Sequence, residues 1–115
     1  MPRCVLNALA VLAWLLGDLG EQVVDRMLEH AAILTVNLAE VLDRADEEGM
    51  ATEGLHRDLE ALGVRAVPFI DEDARLLVEV RRTTRRQGAR LCLADCCCLA
   101  TGIRLNLPVV GGYQA

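Results

Sequence analysis

Four short apolar segments, each separated from the next by stretches of helical periodicity, constrain this chain more than any other feature. They are Arg3–Leu6, Ile33–Leu34, Val64–Phe69 and Leu107–Val110. A strand with one wet face alternates apolar with polar residues. Apart from Arg3 and Arg65 these segments are apolar at consecutive positions, the pattern of strands buried on both sides. Strands of that kind belong to a parallel sheet with helices on both faces, an α/β architecture of about four strands. Pro68 removes a ladder donor and puts the third strand near a sheet edge or end.

The intervening segments supply the helices. Ala8 to Leu16 is an apolar helix broken by Gly17-Asp18-Leu19-Gly20, and Glu21 to Ala31 is amphipathic through Val23, Val24, Met27 and Leu28. Thr35 is expected to cap a helix that turns Val36, Leu38, Ala39, Val41 and Leu42 inward and stops in the polar run Asp43 to Gly49. Thr52 would cap the next, with Leu55, Leu59 and Leu62 inward and Gly63 at its end. A long helix follows, with Asp71-Glu72-Asp73 in its first turn, Arg81, Arg82, Arg85 and Arg86 in its last, and Gly88 closing it. Leu93 to about Arg104 forms the last helix. The 115 residues make one domain, with no repeat and no disordered linker.

The charge is acidic overall and uneven. Twelve Arg and no Lys face 17 Asp and Glu, a net charge of -5, which excludes a protein coated in basic charge of the histone or ribosomal type. Residues 1–64 carry -8, residues 65–115 carry +3. Arg75, Arg81, Arg82, Arg85, Arg86 and Arg90 crowd into one stretch that suits a solvated helix end and could also meet phosphate. Trp14, Phe69 and Tyr113 are the only aromatics, too few for binding single strands by stacking.

The five cysteines include the adjacent Cys96, Cys97 and Cys98, with no C-x-x-C pair and no zinc-finger spacing. They read as reduced thiols of a cytoplasmic protein, and the register Cys92, Cys96, Leu99 suggests small core residues. Val5 to Leu16 is too short to cross a bilayer and lacks a cleavage pattern, so neither a membrane span nor a signal peptide is expected.

A parallel sheet places its ligand site at the carboxyl ends of its strands. The polar residues there are Asn7 after the first strand, Asn37 and Glu40 in the helix after the second, Asp95 in the last helix, and Gly111 to Tyr113 after the fourth strand. Asn37 and Glu40 are three apart and share a helix face. Glu40 and Asp95 each lie in an apolar run, where an acid is costly unless paired, bound to a cation or exposed. Two such acids at one sheet edge make a metal site worth considering. No Gly-rich loop follows the first strand, which speaks against a nucleotide-binding fold.

Several of these runs, in this order, resemble PIN domains of the bacterial VapC-type toxins: Val5-Leu6-Asn7-Ala8-Leu9-Ala10-Val11-Leu12-Ala13, Thr35-Val36-Asn37-Leu38-Ala39-Glu40-Val41, Leu91 to Thr101 around Asp95, and the ending Leu107-Pro108-Val109-Val110. The resemblance covers almost the whole chain. It implies a PIN-like three-layer fold spanning residues 1–115, without the usual C-terminal segment, and a dimeric ribonuclease of a type II toxin–antitoxin system that cuts RNA with Mg²⁺ or Mn²⁺. Glu40 and Asp95 match family acid positions and would be catalytic metal ligands, with Asn7 beside them and Asn37 in support. Arg81, Arg82, Arg85 and Arg86 would face RNA, and a cognate antitoxin would be the protein partner.

The chain departs from the family where the chemistry lies. The first acid is Asn7, the hydroxyl residue two positions on is Leu9, and the last acid falls on Tyr113. Leu34, Cys92 and Cys96 also stand where polar residues are common in the family. Ligand charge falls from about -4 to about -2, which weakens an electrostatic site. Two readings stay open: a ribonuclease with a degenerate acidic site, weakly active or inactive, and a non-catalytic PIN-fold interaction protein that binds an antitoxin or itself. Leu12, Leu15, Leu16 and Leu28 on the early helices motivate the dimer.

Overall fold

A computed structural model describes residues 1–17, 26 and 28–111. Four parallel strands, β1 (Cys4–Leu6), β2 (Ala31–Leu34), β3 (Arg65–Val67) and β4 (Val109–Val110), form one sheet in the order β3-β2-β1-β4. Cys4 pairs with Ala31, Val5 with Ala32 and Val109, and Ala32 with Arg65. Every residue of the central strands β1 and β2 is buried, whereas no residue of the edge strands β3 and β4 is. This is the α/β architecture expected from the consecutive apolar runs, with Pro68 just beyond the end of an edge strand.

Five α-helices are seen among the described residues: α1 (Ala8–Leu16), α2 (Thr35–Glu47), α3 (Leu55–Ala61), α4 (Asp71–Arg86) and α5 (Leu93–Leu105). One face of the sheet packs Leu6 and Ile33 against Val11, Leu38, Val41 and Leu59 of α1, α2 and α3. The other face packs Val5 and Ala32 against Cys98 of α5. Helix α4 then covers the outside of α5, with Val80 against Cys96 and Ala100. Because α5 lies between sheet and helix, Cys96, Cys97 and Cys98 are all buried. The register expected to bury Cys92 fails, since Cys92 starts the helix and is exposed. Burial pushes the Cys4, Cys92 and Cys97 thiols upward, which holds these three back as nucleophiles.

Several boundaries differ from expectation. Thr35 is the first residue of α2 and exposed; Leu34 occupies the cap position without a side-chain bond, because β2 feeds the helix with no loop between them. The helix runs through Asp43 to Glu47, since Ala45 still reaches the core while its charged neighbours stay in water. Gly54 precedes α3 in place of a Thr52 side-chain cap, and Leu62 falls outside α3 and is exposed. Strand β2 starts at Ala31 and Leu28–His30 is a 3₁₀ turn, so the last residues of the expected helix Glu21–Ala31 are not α-helical; residues 21–25 and 27 lie outside the described residues. No helix among the described residues is long and apolar enough to cross a membrane.

One buried ion pair ties the second layer together. Asp73 is fully buried; its Oδ2 accepts the Ile70 N–H at 3.0 Å, and its Oδ1 accepts Arg104 Nε at 2.5 Å. Arg104 also reaches the Pro68 carbonyl, so the start of α4, the end of α5 and the β3–α4 loop share one clamp. The first-turn acids were expected only to complement the helix dipole, and nothing in the spacing of residues 73 and 104 announces the pair.

Candidate metal centre

All four strands point the same way, so the segments after β1, β2 and β4 converge at one edge of the sheet. Asn7, directly after β1, is fully buried. Its backbone N–H donates to the Val110 carbonyl at 2.9 Å, and its Oδ1 accepts the Ala10 N–H at 3.0 Å, capping α1. Gly111 lies so close that a Cβ there would come within 2.6 Å of the Asn7 Cγ. Asn7 Nδ2 is buried with no hydrogen-bond partner among the described residues. The helix cap takes one of the two lone pairs of the carboxamide oxygen, and Nδ2 is a donor, so Asn7 has one neutral lone pair left to offer a cation.

Helix α2 carries the next two residues. Asn37 is fully buried, and its Nδ2 donates to the Ala94 carbonyl at 3.2 Å, one residue before Asp95. That bond fixes α2 against the first turn of α5 and so sets Glu40, one turn on, relative to Asp95. Asp95 Oδ2 accepts the Cys92 N–H at 3.3 Å, steadying the start of α5. The Glu40 carboxyl is raised above its usual range first by burial, then by the charge of Asp95; Arg44, one turn along, opposes this without cancelling it. Glu40 Oε1 is buried with no hydrogen-bond partner among the described residues, as is Asn37 Oδ1.

Of the residues expected from the sequence, Glu40 and Asp95 are therefore within electrostatic reach of each other, with Asn37 bridging the helices that carry them. Tyr113 lies outside the described residues. Among those described, no three His, Cys, Asp or Glu side chains converge into a metal cage. Two carboxylates nevertheless fit a hard ion of the Mg²⁺ type, which keeps several waters and is often held by one or two carboxylates together with a substrate phosphate. The orphaned Oε1 of Glu40, next to a second acid, is the observation that favours a cation there.

The sequence places Gly111 at the ligand edge but not its role there, which is to make room for the Asn7 side chain by lacking one. The arginines divide as well. Arg81 Nη1 is bonded to the Leu91 carbonyl at 3.1 Å, whereas Arg82, Arg85, Arg86 and Arg90 are exposed. A separate groove of about 850 Å³ lies between α4, α5 and the approach to β4, lined by Val80, Thr83, Leu99, Ile103 and Pro108, and contains none of the candidate acids.

Neither a protein-family model nor a curated protein matches this sequence. Solved structures do. The chain is similar to a toxin–antitoxin complex from Klebsiella pneumoniae, with a TM-score of 0.76 at 16% identity over 96% of this chain and 86% of that one. It is also similar to FitAcB from Neisseria gonorrhoeae (TM-score 0.71, 21% identity, 92% and 84% covered) and to DNA-bound VapBC from Salmonella typhimurium (0.71, 16%, 96% and 86%). With its four parallel strands and two helical layers, the chain has the PIN-like fold of VapC-type proteins that its sequence implied.

Proposed function

We propose that this chain is a VapC-like ribonuclease toxin in which Glu40 and Asp95 hold one Mg²⁺ or Mn²⁺ ion against an RNA phosphodiester. The observation that carries this reading is the Glu40–Asp95 pair, two acids of like charge brought together with an orphaned carboxylate oxygen. A bound divalent ion would supply charge for the anionic transition state and a more acidic water as nucleophile. Asn37 positions the pair through Ala94. Asn7 holds the start of α1 through its carboxamide oxygen and brings no third anionic ligand. With two acids where the family implies four, metal affinity and rate are low.

An antitoxin is the proposed protein partner, by analogy with the toxin–antitoxin complexes sharing the fold. A homodimer is also proposed, but on a reduced surface: Leu12 and Leu28 are core residues, leaving the exposed Leu16 and the half-buried Trp14 and Leu15 of the early helices. Light scattering at micromolar concentration checks it, and a monomeric mass counts against it.

The second reading, a PIN-fold interaction protein without catalysis, is favoured by one observation, the commitment of Asn7 Oδ1 to the helix cap. RNA cleavage under Mn²⁺ separates the two. Cleavage that Glu40→Ala abolishes supports the ribonuclease, whereas a folded but silent protein, silent also as the Asn7→Asp, Tyr113→Asp double variant, supports the interaction protein.

A further inference from the structure

Arg81 stands apart from the other arginines of α4. Arg75 pairs with Asp71 in the first turns of the helix, and Arg82, Arg85 and Arg86 are exposed. Arg81 is half-buried and makes no ion pair among the described residues; its Nη1 donates to the neutral Leu91 carbonyl at 3.1 Å and lies 3.8 Å from the Cys96 Sγ. Drawing a guanidinium partly out of water onto neutral acceptors costs free energy. Packing of α4 on α5 does not require it, since the neighbouring Val80 supplies that contact against Cys96 and Ala100. What the bond achieves lies on the side of its acceptor.

The Leu91 carbonyl and the Cys92 N–H belong to one planar, trans peptide unit. Its oxygen accepts from Arg81, and its N–H, pointing the opposite way, donates to Asp95 Oδ2 at 3.3 Å. A cation on the oxygen polarises the unit and makes its N–H a stronger donor, so Arg81 reaches the Asp95 carboxylate through a single rigid link. The first turn of α5 is thereby held from two sides: α4 holds Leu91 through Arg81, and α2 holds Ala94 through Asn37. We infer that Arg81 is a positioning residue for the Glu40–Asp95 centre, fixing the Asp95 carboxylate through the Leu91–Cys92 peptide. This rests on the reading of the acid pair as a metal site, and it gives Arg81 a different role from the contact with RNA that the resemblance implies. Groups that hold a metal-binding carboxylate in place typically govern affinity by about tenfold to a hundredfold, whereas a strut between two helices alters stability alone.

The test measures Mn²⁺ binding by loss of the free-ion electron paramagnetic resonance signal, and the Cys92 amide by NMR without metal. Arg81→Met keeps most of the stem and removes the donors. It is expected to weaken Mn²⁺ binding by at least about tenfold and to speed exchange of the Cys92 amide proton. Arg81→Lys, which keeps a cationic donor, should retain most of the affinity. Val80→Ala separates positioning from stability: it thins the contact of α4 with α5 and leaves the Arg81 bonds in place, so it should lower the unfolding midpoint at wild-type Mn²⁺ affinity. Unchanged Mn²⁺ affinity in Arg81→Met overturns the inference, as does an equal loss in Val80→Ala, which would assign the effect to stability. The two failures are distinguishable. A wild type that binds no Mn²⁺ removes the acid-pair centre and this inference with it, whereas binding that Arg81→Met leaves untouched removes this inference alone.

Discussion

Two aspartates occupy the same position in two helices and meet opposite fates. Asp73 is the third residue of α4 and Asp95 the third of α5, and each accepts the backbone N–H of the residue three before it. Asp73 is fully buried, and its other oxygen is taken by Arg104. Asp95 is partly exposed, and its charge helps to raise the carboxyl of Glu40, another acid. One local device thus serves as a finished structural clamp in one helix and as half of an unfinished site in the other. What distinguishes them is the sign of the partner's charge: a fold left to optimise its stability pairs acid with base, and an acid pair left uncompensated at a strand-end edge points to something brought in from outside.

The largest effect expected from this contrast is at the clamp. Asp73→Ala leaves the mostly buried Arg104 guanidinium without its counter-charge and should cost about 3–5 kcal/mol in urea unfolding. A loss no larger than that of an exposed-site substitution would erase the distinction between the two aspartates. Next comes Gly111→Ala, whose methyl meets the Asn7 side chain and should cost about 1–3 kcal/mol by the same measurement. Wild-type stability in that variant would mean that Asn7 is free to move. The smallest effect has the opposite sign. Glu40→Gln removes one of two repelling acids and should stabilise the divalent-free protein at neutral pH by about 0.5–2 kcal/mol, as substitutions at strained functional sites commonly do.

The pH dependence sharpens the same point. The folded state holds the Glu40 proton more tightly than the unfolded chain does, so the folded state binds more protons, and stability contributed by this group falls as pH rises from the ordinary Glu range through the raised value. Thermal unfolding of wild type and Glu40→Gln across that window, without divalent ions, should show the gap between them opening with pH. A gap independent of pH would assign the effect to packing instead of charge.

Much of the fold was legible because local signals agreed. Asn7 and Gly17 bracket α1, and consecutive apolar residues identified the buried strands. The sequence was less informative where a residue's neighbours come from distant chain. Ala31 read as the end of a helix and Ala32 was left out of the strand, yet in a central parallel strand both faces are covered and alanine serves well. Cys92 and the Cys96–Cys98 run could not be sorted by helical register, because α5 is packed on two sides. For the candidate site, Glu40 and Asp95 stood out as acids in apolar runs, but the clamp at Asp73, the cap formed by Asn7 and the tie from Arg81 to Leu91 depend on geometry that spacing does not encode.

The most direct test of the central claim, that Glu40 and Asp95 together await a divalent cation, is thermal unfolding titrated with Mn²⁺. An ion that binds only the folded state stabilises it by about 2.7 kcal/mol at one hundred times its Kd. The account predicts a saturable rise in melting temperature for the wild type that is lost in both Glu40→Gln and Asp95→Asn. No rise in the wild type, or an equal rise in all three proteins, would contradict it.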